Sequence, residues 1–352
     1  MSVALPLNPE TRLLIVTVNY RTAPLVIASL RSLASEMERL PHTQVAVVDN
    51  NSGDDSVEKI AAAIAAEGWS QWATLMPSSL NGGFSYGNNY AIRPALQSPT
   101  PPDYYLLLNP DAQVRPGALQ TLIEFMDQNP QVGIAGSSFE TEDGKSWPYA
   151  FKFPNFLGEF ENGLRLGLVS KLLSKWRVVQ VMDQHQPQAI DWLPGASMII
   201  RREVFDAIGL MDEGYFLYYE ETDFCLQAKR AGWEVWYVPQ SRVMHILGQS
   251  TGVTAINQKP KRRPQYWHES RRRYFLKNHG WLYAAIVDAS WIIGYGLWRM
   301  RRVIQRKPDQ DPPMLLRDSI QNSVVFHPRI PAQTLPDPQP VADLANPQPA
   351  VH

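Results

Sequence analysis

At 352 residues, with a formal net charge of −1 and 19% charged residues, the chain is long enough to bury one large core or two and has the make-up of an ordinary soluble protein. Its single cysteine, Cys225, rules out an intramolecular disulfide and fits a reducing compartment. Basic residues gather between Lys259 and Lys307, but no nucleic-acid-reading module accompanies them, and Pro6 and Pro9 interrupt any export-signal pattern.

Leu13 to Val18 is a β-branched-rich run ending on Asn19-Tyr20-Arg21. Val26, Leu30, Leu33, Met37 and Leu40 then step by four and three, an amphipathic helix. Val45 to Val48 predicts a second buried strand, closed by Asp49-Asn50-Asn51-Ser52-Gly53. Val57, Ile60 and Ile64 open another helix, and Ala73 to Met76 a third strand. This βαβαβ alternation predicts an α/β fold with a mostly parallel sheet and right-handed crossovers, half of a doubly wound nucleotide-binding fold.

The stretch Asn81-Gly82-Gly83-Phe84-Ser85-Tyr86-Gly87-Asn88-Asn89 holds three glycines, which permit close approach of a ligand to backbone. It matches neither a Walker loop nor a dinucleotide fingerprint, and a plain helix-capping loop is an equal alternative. Tyr104 to Leu108 is an apolar run that stops on Asn109-Pro110-Asp111. That pattern suits a strand buried on both faces, with an acid at its carboxyl end, where open α/β sheets place ligands. An acid held there can grip a divalent cation, and the cation a diphosphate; taken alone, Asn-Pro-Asp is also good turn chemistry.

A helix follows through Leu119, Leu122, Ile123 and Met126, then a strand from Val132 to Gly136. Residues 146–190 change character: aromatics precede a helical, basic-apolar piece from about Leu164 to Val181, expected to be an insertion on the acceptor side or a plain packing subdomain. Asp191-Trp192-Leu193-Pro194-Gly195-Ala196 leads into a strand at Ser197–Ile200 and a short helix ending at Gly209. Next, Tyr218-Tyr219-Glu220-Glu221-Thr222-Asp223 puts acids where an aromatic run becomes a helix. Acids there can simply complement the helix dipole. Adjacent buried carboxylates would also push one pKa upward, as a general base near neutrality requires. Trp233–Val238 and Arg242–Ile246 are read as strands, the second ending at His245, a candidate metal ligand.

Trp281 to Lys307 is apolar and aromatic, broken by Asp288 and Ser290, and ends in Arg299, Arg301, Arg302, Arg306 and Lys307. It suits a helix lying on an anionic membrane better than one spanning it, with a packed carboxyl-terminal helix as the alternative. From Pro308 onward the density of proline predicts an unstructured tail that does no chemistry.

Five motifs in order, Val18-Asn19-Tyr20, Val48-Asp49-Asn50-Asn51-Ser52, Asn81-Gly82-Gly83-Phe84 with Asn88, Leu108-Asn109-Pro110-Asp111 and Glu220-Glu221-Thr222-Asp223, resemble the inverting glycosyltransferases of family 2, more narrowly their rhamnosyltransferase-like branch. The likeness runs from about Leu13 to Gly280 and implies a GT-A fold over residues 1–250. A basic closing segment (251–280), a membrane-associated helix (281–307) and a tail (308–352) would follow. It implies that Asp49 hydrogen-bonds a pyrimidine, with Asn19 and Asn51 beside the nucleotide and Gly83 and Asn88 lining the base and ribose pocket. Asp111 matches the second acid of the family's metal motif. Asn109 replaces the first and would face the nucleotide, and His245 would complete the site for Mn²⁺ or Mg²⁺. Glu221 falls where the family's base stands, with Glu220 as the alternative, and Trp192, Gly195, Tyr218 and Tyr219 would wall the sugar and acceptor. The partners implied are a nucleotide-sugar donor, by resemblance rhamnose on thymidine diphosphate, and a glycan or lipid-linked acceptor. The chain would sit at the cytoplasmic face of a bacterial membrane. Two rivals are a sugar-1-phosphate nucleotidyltransferase, opposed by Asn19-Tyr20-Arg21-Thr22-Ala23-Pro24 after the first strand, and a non-catalytic binding protein with a degenerate site, kept open by Asn109.

Overall fold

The computed structural model describes residue 7, residues 10–245 and residues 260–332; the boundary expected at 250 and Ile246 lie outside them. Strands β1 (Leu13–Asn19), β2 (Thr43–Asp49), β3 (Ala73–Pro77) and β4 (Tyr104–Leu108) run parallel in the order β3-β2-β1-β4. Helices α1 (Ala23–Met37), α2 (Ser56–Ala66) and α3 (Gly83–Leu96) connect them. These strands are continuously apolar because both faces are covered. Leu13, Ile15, Val45, Val47, Leu106 and Leu108 pack with α1 and α2 on one side. Leu14, Val16, Ala46, Val48, Tyr105 and Leu107 pack with α3 on the other. Residue-by-residue alternation therefore splits one run into two cores.

The chain next forms β5 (Ala112–Val114), α4 (Ala118–Gln128) and β6 (Val132–Glu140), then the short β7 (Ser146–Trp147) and β8 (Tyr149–Phe151). The insertion holds α5 (Phe156–Leu164), α6 (Gly167–Leu172), β9 (Val179–Val181) and β10 (Gln188–Ala189). After it come β11 (Ser197–Arg201), α7 (Arg202–Ile208), α8 (Glu220–Arg230) and β12 (Glu234–His245). The long strands β6 and β12 pair in parallel, but β11 lies antiparallel between β4 and β6, an arrangement the alternation of elements did not announce. The two strands expected at 233–238 and 242–246 are one, β12, with a register shift between Val238 and Arg242.

The helical piece expected at 164–181 is broken. Arg165 adopts a left-handed backbone (φ 52), α6 lasts six residues, and β9 pairs with β8 in a separate two-stranded sheet. Val178, Val179 and Val181 favour extended chain, which suits the β9 strand that replaces the end of the expected helix.

Helix α9 (Gln265–Ile304) spans 40 residues but is two helices joined at Gly280 (φ 76, ψ 171). Its second half lies along α5, the backbones so close that a Cβ on Gly294 would sit 2.6 Å from the Phe160 carbonyl oxygen. No helix among the described residues is long and apolar enough to cross a membrane. The tail expected from Pro308 does not begin there. Helix α10 (Leu315–Gln321) packs back on α9, with Leu315 and Val324 buried. Arg262 donates two hydrogen bonds to Asp318, and the Val324 amide donates to Asp288. Pro312 and Pro313 precede a helix rather than deny one, since proline is tolerated ahead of a first turn. Residues 333–352 lie outside the described part.

Candidate active site

The carboxyl end of β4 turns tightly: the Asn109 amide donates to Ala196 O and the Ala112 amide to Asn109 O, both at 3.1 Å. The chain then returns as β5, antiparallel to β12, with Ala112 opposite His245. That register sets His245 against the residue beside Ala112, so His245 Nε2 lies 3.3 Å from Asp111 Oδ1, with both side chains nearly buried. A carboxylate oxygen and an imidazole nitrogen converging this way suit a divalent cation, and His245 Nδ1 has no hydrogen-bond partner among the described residues. No group of three or more His, Cys, Asp or Glu able to hold a metal occurs among the described residues, so substrate oxygens or water would have to complete a coordination shell.

The aromatic run reaches α8 through Tyr218 (φ 73) and Tyr219 (φ 68), two consecutive bulky residues in left-handed backbone. Such residues are strained and persist where the surroundings hold them. Here Tyr218 stacks on Tyr266 and Tyr219 packs against Trp267 and Tyr274 of α9. Glu220 is 2% exposed and its Oε2 has no hydrogen-bond partner among the described residues. Burial, and then the charge of Glu221, push its carboxyl well above the usual range. Glu221 is only partly buried, and its Oε1 accepts from the Gly195 amide at 3.1 Å. Burial raises its pKa too. A Cβ on Gly195 would lie 2.8 Å from Phe84 Cζ and 3.2 Å from Glu221 Cγ, so the close approach needs glycine. Asp223 turns away and is held by Lys277 and Asn278 of α9, each at 2.6 Å.

The residues expected on the nucleotide side are occupied with one another. Asn19 Nδ2 donates to Asp49 Oδ1 at 2.7 Å and to Ser52 Oγ at 3.1 Å, while the Ser52 amide donates to Asp49 Oδ2 at 3.0 Å. Asn19 and Asp49 are buried; Asn51 is exposed, with φ 55. Gly83 (φ 85) meets protein instead of open space, because a Cβ there would lie 1.9 Å from Phe216 O. Asn88 is 1% exposed and donates to Phe84 O inside α3. Asn50, absent from the expected set, donates to Asn81 Oδ1 and Gly83 O at 3.0 Å each and ties the two loops together. Its place in the Asp49–Ser52 motif was the available signal.

A cavity of about 840 Å³ joins the carboxyl end of β4, the start of α8 and the insertion. Asn109, Asp111, His245, Trp192, Tyr218, Tyr219, Glu220 and Glu221 all line it, and the insertion adds Glu159, Glu161, Arg165, Ser170 and Arg177. Asn19, Asp49, Asn51, Gly83, Asn88 and Gly195 are not among its walls. Trp192 stacks on Phe151 with ring centroids 4.4 Å apart. Trp267 also lines the cavity and carries the Arg263 guanidinium 3.8 Å from its ring centre. Arg263 makes no hydrogen bond or ion pair among the described residues, and burial lowers its pKa. One arginine inside a basic run gave no sequence signal. Arg271 binds Glu159 at 2.9 Å and Asp288, fastening the insertion to both halves of α9.

Residues 9–267 match the family described as "Glycosyltransferase like family 2". The chain is 28% identical over 251 residues to N-acetylglucosaminyl-diphospho-decaprenol L-rhamnosyltransferase of Mycobacterium tuberculosis, covering 68% of this chain and 77% of that one. It is 25% identical over 259 residues to dTDP-rhamnosyl transferase RfbF of Shigella flexneri, covering 72% and 77%. Among solved structures, GalNAc-T7 with UDP, GalNAc and Mn²⁺ superposes with a TM-score of 0.56 at 13% identity, over 84% of this chain and 54% of that one. With that fold and a family match across most of its length, the chain has the GT-A architecture and belongs to glycosyltransferase-like family 2.

Proposed function

We propose that the chain is an inverting rhamnosyltransferase, moving rhamnose from thymidine diphosphate to a lipid-linked or glycan acceptor in bacterial surface-polysaccharide synthesis. The observation that carries this is Glu221, gripped by the Gly195 amide, in the same cavity as the Asp111–His245 pair. The names of the two relatives support rhamnose as the sugar, and the first supports a diphosphate-linked lipid acceptor.

In this reading the acceptor lies between Trp192 and the insertion, with one hydroxyl at Glu221. Its oxygen bonds to the anomeric carbon while the bond from that carbon to the diphosphate oxygen breaks, the electron pair leaving with the nucleotide. Glu221 takes the hydroxyl proton in the same displacement, which inverts the anomeric centre. A divalent cation held by Asp111 and His245 would neutralise the departing diphosphate. Arg263, held over the Trp267 ring that lines the cavity and making no ion pair among the described residues, would suit the same phosphate charge. Attachment to an anionic inner membrane face through the second half of α9 would keep the cavity near lipid-linked acceptors. Leu282, Ile286, Ile293, Leu297, Met300 and Ile304 form an exposed stripe there.

The test is a panel of nucleotide sugars with Mn²⁺ or Mg²⁺ and polyprenyl-diphosphate N-acetylglucosamine, reading released nucleoside diphosphate. Turnover with dTDP-rhamnose above all other donors is expected. Turnover with another donor and none with dTDP-rhamnose would refute the sugar assignment, and no turnover with any would favour a binding protein.

A further inference from the structure

Helix α6 buries none of its six residues. A helix this short gains little from its own hydrogen bonds. Gly167 and Ser170 line the acceptor cavity, whereas Leu168 and Leu172, one turn apart, are 79% and 77% exposed. From Leu164 to Val181 the chain carries Arg165, Lys171, Lys175 and Arg177 and no Asp or Glu. Val181, at the end of that stretch, is 75% exposed. The exposed stripe of α9 ends beside this element, since Arg301 Nη2 donates to Leu164 O and Arg165 O at 2.8 and 2.7 Å.

Leucines protruding among cations suit a surface that offers hydrocarbon and negative head groups together. Arg165 is paired with Asp311 at 2.6 Å and Arg177 lies 3.8 Å from Glu161, so the charge this face offers is that of Lys171 and Lys175. A second copy of the chain would set those two cations against the same two, which disfavours self-association through this face. We propose that α6 is a wedge that enters an anionic lipid surface at the mouth of the acceptor cavity. A lipid-linked acceptor would then reach Glu221 with its chain still in the bilayer. The role in transfer rests on the lipid-linked acceptor proposed above; the lipid contact does not.

The full chain is compared with Leu168→Ser/Leu172→Ser and Lys171→Glu/Lys175→Glu variants by co-sedimentation with phosphatidylcholine vesicles, with and without phosphatidylglycerol. Each variant is expected to weaken binding to the anionic vesicles by about tenfold or more. Transfer to a short, water-soluble acceptor analogue should stay unchanged, and transfer to the full lipid acceptor should fall in step with binding. Vesicle binding that is equal in wild type and both variants, or absent in all three, overturns the proposal. So does loss of self-association with vesicle binding intact, which would make the face a contact between copies. A second readout uses Leu172→Cys carrying an environment-sensitive fluorophore, feasible because Cys225 is buried. A blue shift on adding anionic vesicles is expected, and its absence counts against the wedge. If the rhamnosyltransferase reading alone were wrong, wild type would fail with both acceptors while every lipid-binding result stood.

Discussion

Glu220 and Glu221 are adjacent, yet their surroundings predict opposite responses to the same substitution. Glu221→Gln keeps side-chain volume and an oxygen for the Gly195 amide, so the fold and donor binding should survive. What it loses is the ability to accept a proton, worth about 10²–10⁴-fold in kcat, or ~3–5 kcal/mol of barrier. Glu220 is different, because burial and the neighbouring charge favour its neutral form. A glutamine there imitates what is already present, and kcat should stay within about threefold of wild type. The pH dependence follows with a definite sign. A base must be ionised, so kcat falls as pH drops through the Glu221 pKa, which burial places above the ordinary carboxylate value of about 4.3. The acid limb should therefore lie above that value in wild type. It should not move in Glu220→Gln, since a group already neutral exerts no charge to remove. The assay is release of nucleoside diphosphate across a pH series, with circular dichroism to check folding. An inactive Glu220→Gln beside an active Glu221→Gln would exchange the two roles and refute the reasoning.

Asp111→Asn should abolish cation-dependent donor binding without unfolding; calorimetry showing equally tight donor binding in the presence of chelator would contradict the cation's role. Gly83→Ala should destabilise by about 2–4 kcal/mol, from left-handed strain plus collision with Phe216 O, and an unchanged urea midpoint would show that the contact relaxes freely. Truncation after Lys307 removes the buried Leu315 and Val324 and the Asp318 grip on Arg262, so the melting temperature should drop by about 5–15 °C. An equal melting temperature would return residues 308–332 to the status of a dispensable tail.

The parallel block was legible because a strand covered on both faces must be apolar at every position, as in Tyr104–Leu108. Strand ends were legible too, since Asp49 and Asp111 each break an apolar run abruptly, whereas the aromatic run before Glu220 is no strand but a loop entering α8. Orientation was not: nothing in Ser197–Arg201 says that it runs against its neighbours, because that depends on where the preceding insertion delivers the chain. Gly83 shows a second limit. Its freedom from a side chain was plain, but whether ligand or protein fills the space was settled by Phe216, far along the sequence. The Glu220–Asp223 motif divides for the same reason: Asp223 sits on the helix face toward α9, a face defined only once α9 is in place. Proline content concealed α10, whose apolar positions become readable after Pro312 and Pro313 are taken as a start signal.

Asp111 and His245 meet only because β5, from the first half of the chain, pairs with β12, from the second, while β11 seals the same halves along β4. The candidate cation site is thus a stitch across the seam between the first and second halves of the chain. A chimera that grafts one relative's second half onto another's first half would have to match two strand registers before it could assemble that pair. Residues 152–187, which lie between β8 and β10 and add no strand to the main sheet, would be exchangeable without disturbing either register.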